Sequence, residues 1–437
     1  MATFNDKQVV GYAPVSETSF EWLYADIAKV TGKTPTSASL VDFSGMGGLS
    51  GAVMRRLIVK FDDETEQKFV YKTILPAGQE SSKNLGLPRE AFFFAHLAST
   101  LVAKGVPLPN VVFTHGDMNT GEKTIILEDL SEVSVQSGYF FGSGSPHNWD
   151  KELLAIIGKN RPAAMTETIT MVDITRAAFR TAASIHATYW QDRSLLEHKW
   201  LRSQDWVQGQ GEDTWQAAQD HSSSLWAKTL EKIAAGTSGV NWDSRLLACM
   251  DASISRISWE AYQKRVQSSD YFWTLVHGDF HPANILWRWP DAAELNSSSS
   301  GSSSSDQRAI GSPVLLDFEV VGLGSGAQDL AQYLISHACA ADRRAHEEEL
   351  LQDYYAHLTG AAGSAGSSGS GSVDSTQYTY AQCKRDYVEG GVCRWVWLLA
   401  LLSGMCPDPL TQYFHDQVLD FMVDHGVTPE NIAMPRV

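Results

Sequence analysis

The 437 residues, 43% hydrophobic and 19% charged, have a globular composition, and the length exceeds what one small core organises, so two lobes are expected. With 51 acidic residues against 34 basic ones the formal charge is −17, which disfavours nucleic acid and anionic membrane as partners. Solubility is the simpler account of that charge, and a field that draws a cationic small substrate is the alternative.

In chain order, residues 18–31 read as an amphipathic helix, with Phe20, Leu23, Tyr24, Ile27 and Val30 at helical spacing. Residues 53–61 and 67–75 are β-rich runs joined by the polar turn Asp62-Asp63-Glu64-Thr65, a hairpin signal. Just ahead lies a glycine-rich stretch over 44–51, where Gly47 and Gly48 permit close backbone approach to phosphates; a plain flexible turn would look the same. Lys72 sits in the second run, FVYKTIL. Residues 88–104 form a predicted helix, with Pro88 near its first turn, Glu90 inside that turn and Gly105 past the end.

His115-Gly116-Asp117 precedes Asn119-Thr120-Gly121, a tight turn between apolar runs, so this segment reads as a hairpin. The run over 124–132, TIILEDLSE, reads as a strand ending in acidic and small residues. Residues 174–191 form a predicted helix carrying His186, expected as a packed, hydrogen-bonded histidine. Trp190, Trp200, Trp206, Trp215 and Trp226 follow, in a stretch to residue 269.

The most informative segment is HGDFHPANIL over 277–286, followed by LLDFE over 315–319. Phosphoryl transfer needs a carboxylate to orient the attacking hydroxyl and oxygen ligands to hold Mg²⁺. Asp279, Asn284 and Asp317 can supply them, with His277 and His281 bracketing the first. Imidazole suits zinc better than magnesium, so the two histidines are expected to support the loop. Low-complexity Ser/Gly tracts over 296–305 and 360–372 cannot bury enough apolar surface to order themselves. Asp329 opens a helix at GAQDLAQYL.

Five cysteines form no C-x-x-C pair and no zinc pattern. The N-terminus lacks a basic region followed by an apolar stretch, and the apolar run over 395–405 is too short to span a bilayer. A cytoplasmic protein with no membrane span is expected; nothing in the sequence fixes its oligomeric state.

HGD-x-H-x-x-N followed by D-F-x resembles the aminoglycoside phosphotransferase and choline kinase superfamily, closest to its choline-kinase-like and ecdysteroid-kinase-like group. The resemblance runs from about residue 44 to 334 as an ordered series of glycine loop, lysine, helix glutamate, E-D-L strand, catalytic loop, D-F-E and D-L-A. It implies an α+β, bilobal protein-kinase-like fold, with a small antiparallel-sheet N-lobe carrying one main helix and a larger, mostly helical C-lobe. The N-terminal nucleotide-binding lobe would cover 1–130 and end in the hinge. The catalytic and acceptor-binding lobe would cover 131–437, with insertions near 291–313 and 360–376.

The implied activity is ATP- and Mg²⁺-dependent transfer of the γ-phosphate to a small-molecule alcohol. By this resemblance Lys72 contacts phosphates and pairs with Glu90, for which a favourable charge at a helix N-terminus is the alternative. Leu127, Glu128, Asp129 and Leu130 would offer backbone groups to adenine, although an edge strand would look alike. Asp279 is the implied catalytic residue, Asn284 and Asp317 the metal ligands, and His277, His281 and Asp329 supports of the loop. Two departures stand out: His281 where the group often has Trp, and Glu319 where it often has Gln. A noncatalytic nucleotide-binding protein and a protein kinase are the alternatives; against the second, Asp329 follows Asp317 too soon to leave room for an activation loop.

Overall fold

The computed structural model describes residues 8–42, 51–142, 144–152, 155, 169–289, 311–360 and 373–437. Its N-terminal part is a sheet of β1 (Val9–Val10), β2 (Pro35–Asp42), β3 (Val53–Phe61), β4 (Glu66–Thr73), β5 (Val111–Asp117) and β6 (Lys123–Glu128). The strands run antiparallel in the order β1-β5-β6-β4-β3-β2. Side chains alternate across it, as a pleated strand requires. Phe69 and Tyr71 of β4 and Ile126 of β6 join a core with Leu23 and Ile27 of the first helical segment. Ile125 and Leu127 face the other way, toward Ala91.

That first segment is shorter than the sequence reading: a 3₁₀ turn over Glu21–Leu23 leads into α1 (Tyr24–Thr31), closed by Gly32 in the left-handed conformation. After β4 come α2 (Gln79–Leu85), α3 (Arg89–His96) and α4 (Ala98–Ala103). The single helix predicted over 88–104 is therefore two. Leu97 interrupts it at φ −114°, its carbonyl shared between the Leu101 amide and the Tyr189 hydroxyl. The hairpin expected around residues 119–121 joins β5 to β6, with Gly121 at φ +82°.

The C-terminal part is mainly helical. It holds a sheet of β7 (Ser134–Gln136), β9 (Ile285–Arg288) and β10 (Ser312–Leu315) and a two-stranded ribbon of β8 (Thr274–Val276) with β11 (Gly322–Gly324). Around them stand α5 (Met171–Thr188), α6 (Gln204–Val207), α7 (Glu212–Ala234), α8 (Ser244–Ile254), α9 (Trp259–Val266), α10 (Ala327–His337), α11 (Ala340–Leu358), α12 (Tyr380–Met405) and α13 (Asp408–Asp424). Thr170 caps α5 through a reciprocal box with Asp173, a contact worth about 1 kcal/mol.

Helix α10 is buried along its whole length and is the axis of this part. Helix α12 packs on it closely: a Cβ on Gly391 would fall 2.4 Å from the Ala331 Cβ. The apolar run over 395–405 is only the second half of α12, which by length and composition is long enough to cross a membrane. Its apolar window is 56% buried against the rest of the chain, and it carries Arg394 in its middle. Helices α3 and α4 tie the two parts together: Phe92, Phe93 and Leu97 belong to the core that also holds Phe318 and the apolar residues of α10, while the sheet keeps a core of its own. An antiparallel sheet with its helices followed by a larger, mainly helical part is the α+β arrangement expected from the sequence.

Candidate active site

The loop after β8 is built on a glycine that no other residue replaces cheaply. Gly278 has φ +79°, and a Cβ there would lie 2.4 Å from the Val320 carbonyl oxygen. Asp329, in the first turn of α10, holds the loop from behind, accepting from the His277 amide at 2.8 Å and the Gly278 amide at 3.2 Å. Gly326 lets that turn approach α5, since a Cβ would meet the His186 ring at 2.7 Å. His186 is buried, with Nδ1 against the Tyr354 hydroxyl at 2.9 Å.

His277 Nδ1 accepts from the Asp279 amide at 3.3 Å, so its Nε2–H donates to the Leu316 carbonyl at 2.8 Å. Burial pushes this ring below its ordinary pKa despite Asp329 and Asp279, which fits a neutral structural imidazole. The loop thus presents Asp279 with both oxygens addressed. Gln332 of α10 donates to Oδ1 at 2.8 Å, and Asn284 donates to Oδ2 at 3.0 Å. His281 Nε2 lies 3.3 Å from Oδ2. Burial would raise the Asp279 carboxyl, but His281 and Arg394 pull it well below the usual carboxylate range. His281 responds in the opposite sense. Burial lowers its ring, and Asp279 with Asp317 outweighs that and holds it above its ordinary value.

Asp317 takes the left-handed conformation, φ 65° and ψ 59°, a strained choice for a residue with a Cβ and one that clusters at functional sites. Its carboxylate meets Lys72 Nζ at 2.7 Å. The same ammonium reaches Glu90 at 2.8 Å and Glu319 at 3.0 Å. A second lysine, absent from the sequence reading, completes the group: buried Lys123 lies 2.9 Å from Glu90 and also pairs with Glu319. Period-two geometry explains it, because Ile125 stands opposite Lys72 and Lys123 shares the face of Ile125.

Burial would lower the Lys72 ammonium, and Asp317, Glu90 and Glu319 together keep it well above its usual range. Burial would likewise raise Glu319, and Lys123 and Lys72 hold it down; Asp317 is raised, by burial and by Glu319 and Glu90. Phe318 between these two acids stacks on Phe93 of α3, with ring centroids 3.7 Å apart. The segment that carries Asp317 is thereby tied to the helix that carries Glu90.

Which carboxylate can meet a ligand follows from exposure: the Asp317 side chain is 32% exposed, Glu90 and Glu319 only 1% and 7%. The donor set fits a hard cation. Asn284 commits its amide protons to the Asp279 carboxylate and carbonyl, leaving the amide oxygen as its ligand atom.

At the predicted hinge the side chains are engaged elsewhere. Glu128 accepts from the Asn110 amide at 2.9 Å and from its Nδ2 at 3.0 Å, while Asp129 pairs with Arg56 at 2.6 Å and caps the Ser131 amide. The Glu128 amide is spent on the Asn110 carbonyl and the Leu130 carbonyl accepts from Val133, so these two backbone groups are already paired; Leu127 is buried in the sheet. The strand itself ends at Glu128, short of the predicted 132. Gly47 and Gly48 lie outside the described residues, as do the tract over 296–305 and nearly all of that over 360–372.

A family model, DUF1679, described as "Uncharacterized oxidoreductase dhs-27", matches residues 252–405, which include Asp279, Asn284, Asp317, Asp329 and Arg394. Every sheet formed by the described residues is antiparallel, unlike the doubly wound parallel sheet of dinucleotide-binding oxidoreductases. Among solved structures, the chain is similar to choline kinase LicA from Streptococcus pneumoniae over 92% of its length and 98% of that chain, at 12% identity and a TM-score of 0.43. It is similar to Plasmodium vivax ethanolamine kinase over 90% of its length and 83% of that chain, at 9% identity and a TM-score of 0.40. A microcompartment-associated aminopropanol kinase covers 92% of this chain and 98% of its own, at 13% identity and a TM-score of 0.38. No curated protein matches the sequence.

Proposed function

We propose that this chain is an ATP- and Mg²⁺-dependent phosphotransferase that moves the γ-phosphate of ATP to a hydroxyl of a small-molecule acceptor. The observation that carries the reading is the fixed pose of Asp279, an ionised carboxylate held by Gln332, Asn284 and His281 beside the Lys72–Asp317 group. Asp279 orients the acceptor hydroxyl; being a weak base, it aligns the oxygen rather than storing its proton. The acceptor oxygen forms a bond to the γ-phosphorus as the bond from that phosphorus to the bridging oxygen breaks. ADP leaves with the electron pair, and the hydroxyl proton passes to solvent.

Lys72, positioned by Glu90, supports the α- and β-phosphates. Asn284 and Asp317 are the residues that would hold Mg²⁺, which when bound neutralises charge on the phosphates. The nucleotide's adenine would lie along residues 127–130.

The test is ADP formation with Mg·ATP across a panel of aminoalcohols, aminoglycosides, sterols and sugars. Acceptor-dependent ADP release, with the phosphate recovered on the acceptor, is expected. Tight Mg·ATP binding with no acceptor phosphorylated would instead favour a noncatalytic nucleotide-binding protein.

A further inference from the structure

Arginines gather beside Asp279 without forming an ion pair among the described residues. Arg394 of α12 donates Nη2 to the Gly278 carbonyl at 3.0 Å, one residue before Asp279, and is only 3% exposed. Its Nε and Nη1 have no hydrogen-bond partner among the described residues. Arg202, half-buried, is held by backbone bonds to Val321 and Leu323 on either side of Gly322. Both guanidiniums lie over the Trp397 ring, Arg202 at 5.4 Å and Arg394 at 5.1 Å from its centroid. Arg89 approaches the same group but spends its guanidinium on the carbonyls of Leu85, Gly86 and Trp200.

A guanidinium does not give up its proton near neutral pH, so this site stays cationic whatever the solvent. Burial, then Arg394 and Arg89, disfavours the charge on Arg202, and Asp279 works against them. Gathered cations with open donors are costly unless an anion completes them. The catalytic carboxylate cannot do this fully, because Gln332, Asn284 and His281 already share its oxygens.

We propose that the acceptor is an anionic alcohol, with a carboxylate or phosphate group seated on Arg202 and Arg394 while its hydroxyl faces Asp279. The proposal rests on the phosphotransferase reading and deepens it: despite the acidic surface, the acceptor wall is basic, so a purely cationic acceptor is disfavoured there. Arg394 also positions the catalytic loop through Gly278, which makes Arg202 the cleaner residue to change.

The test is calorimetric titration of the full chain, at fixed ionic strength, with phenyl phosphate, 4-hydroxybenzoate and neutral benzyl alcohol, and separately with Mg·ATP. One or both anions should bind at least about tenfold more tightly than benzyl alcohol, the two arms separating phosphate from carboxylate. Arg202→Gln should lose about tenfold or more of that affinity and Arg202→Lys part of it, with Mg·ATP affinity the same in all three proteins. Mg·ATP binding also shows that each variant is folded.

Equal binding of benzyl alcohol, or anion affinity unchanged in both variants, overturns the proposal. A parallel loss of Mg·ATP affinity overturns it too, by assigning Arg202 to the nucleotide's own phosphates. Mg·ATP binding without anion binding removes this proposal alone, whereas anion binding without Mg·ATP binding removes the phosphotransferase reading and leaves the arginine site.

Discussion

Asp279 is held from three directions, and its partners divide the labour. Gln332 reaches it from α10, beyond β9, β10 and β11 in sequence, and fixes one oxygen at 2.8 Å. Replacing Gln332 with Leu should lower turnover by about 10- to 100-fold while leaving Mg·ATP affinity unchanged, since small misplacements of a reacting group are costly. Equal kinetics in the variant would show that Gln332 does not position Asp279. His281 gives a pH signature. Its folded pKa lies above the unfolded value near 6.5, so the stability contributed by its pairing with Asp279 is full below about 6.5 and is lost as pH rises through the raised pKa.

In an NMR titration the His281 ring should therefore have its midpoint above about 6.5, and Asp279→Asn should bring it down. An unmoved midpoint would contradict the pairing. At this scale the spacing singled out Asp279, Asn284 and Asp317, the resemblance added His277 and Asp329, and the structure gathers all five around one loop. Gln332 was not legible, because nothing in HGDFHPAN points to it. The signal that existed was its place three residues after Asp329, on the same face of one helix.

Between elements, the decisive feature is the buried charge cluster that joins β4, β6 and α3 to the segment after β10. Lys72 and Lys123 face Glu90, Asp317 and Glu319 in a group most of whose members are closed to solvent. Removing one partner of such a group leaves an uncompensated charge, so Lys123→Met should destabilise the fold by about 3–5 kcal/mol in denaturant unfolding. The double variant Lys123→Met with Glu319→Leu should recover most of that loss. Recovery absent, or a single-variant loss no larger than that of a surface residue, would sink the assignment.

Glu319 was the departure that the motif could not explain. Its reason is Lys123, whose role only the β4–β6 register reveals. The break at Leu97 was hidden for a similar reason. Residues 88–104 have helical composition throughout, and the interruption comes from a tertiary bond to Tyr189 rather than from a local breaker.

Across the whole molecule, the resemblance anticipated the two-part architecture because its motifs fall in fixed order along the chain. The length of α12 and the arginines it helps to gather were not anticipated, since an apolar run interrupted by Arg394 ends early when read by hydropathy alone. The β9–β10 hairpin is closed by pairing of Arg288 with Ser312 and Trp287 with Pro313, so deletion of residues 296–305 should leave the melting temperature and turnover nearly unchanged. A collapse of either would make that tract a working part.

In the proposed phosphotransferase the site divides between the acceptor, addressed by Asp279, and the nucleotide with its metal, held by Lys72, Asn284 and Asp317. Titrating Mg·ATP into the unsubstituted protein, Asp279→Asn and Asp317→Asn tests this division most directly. Tight binding to the first two and a loss of about tenfold or more in Asp317→Asn are expected. Equal affinity in all three, or a comparable loss in Asp279→Asn, would contradict it.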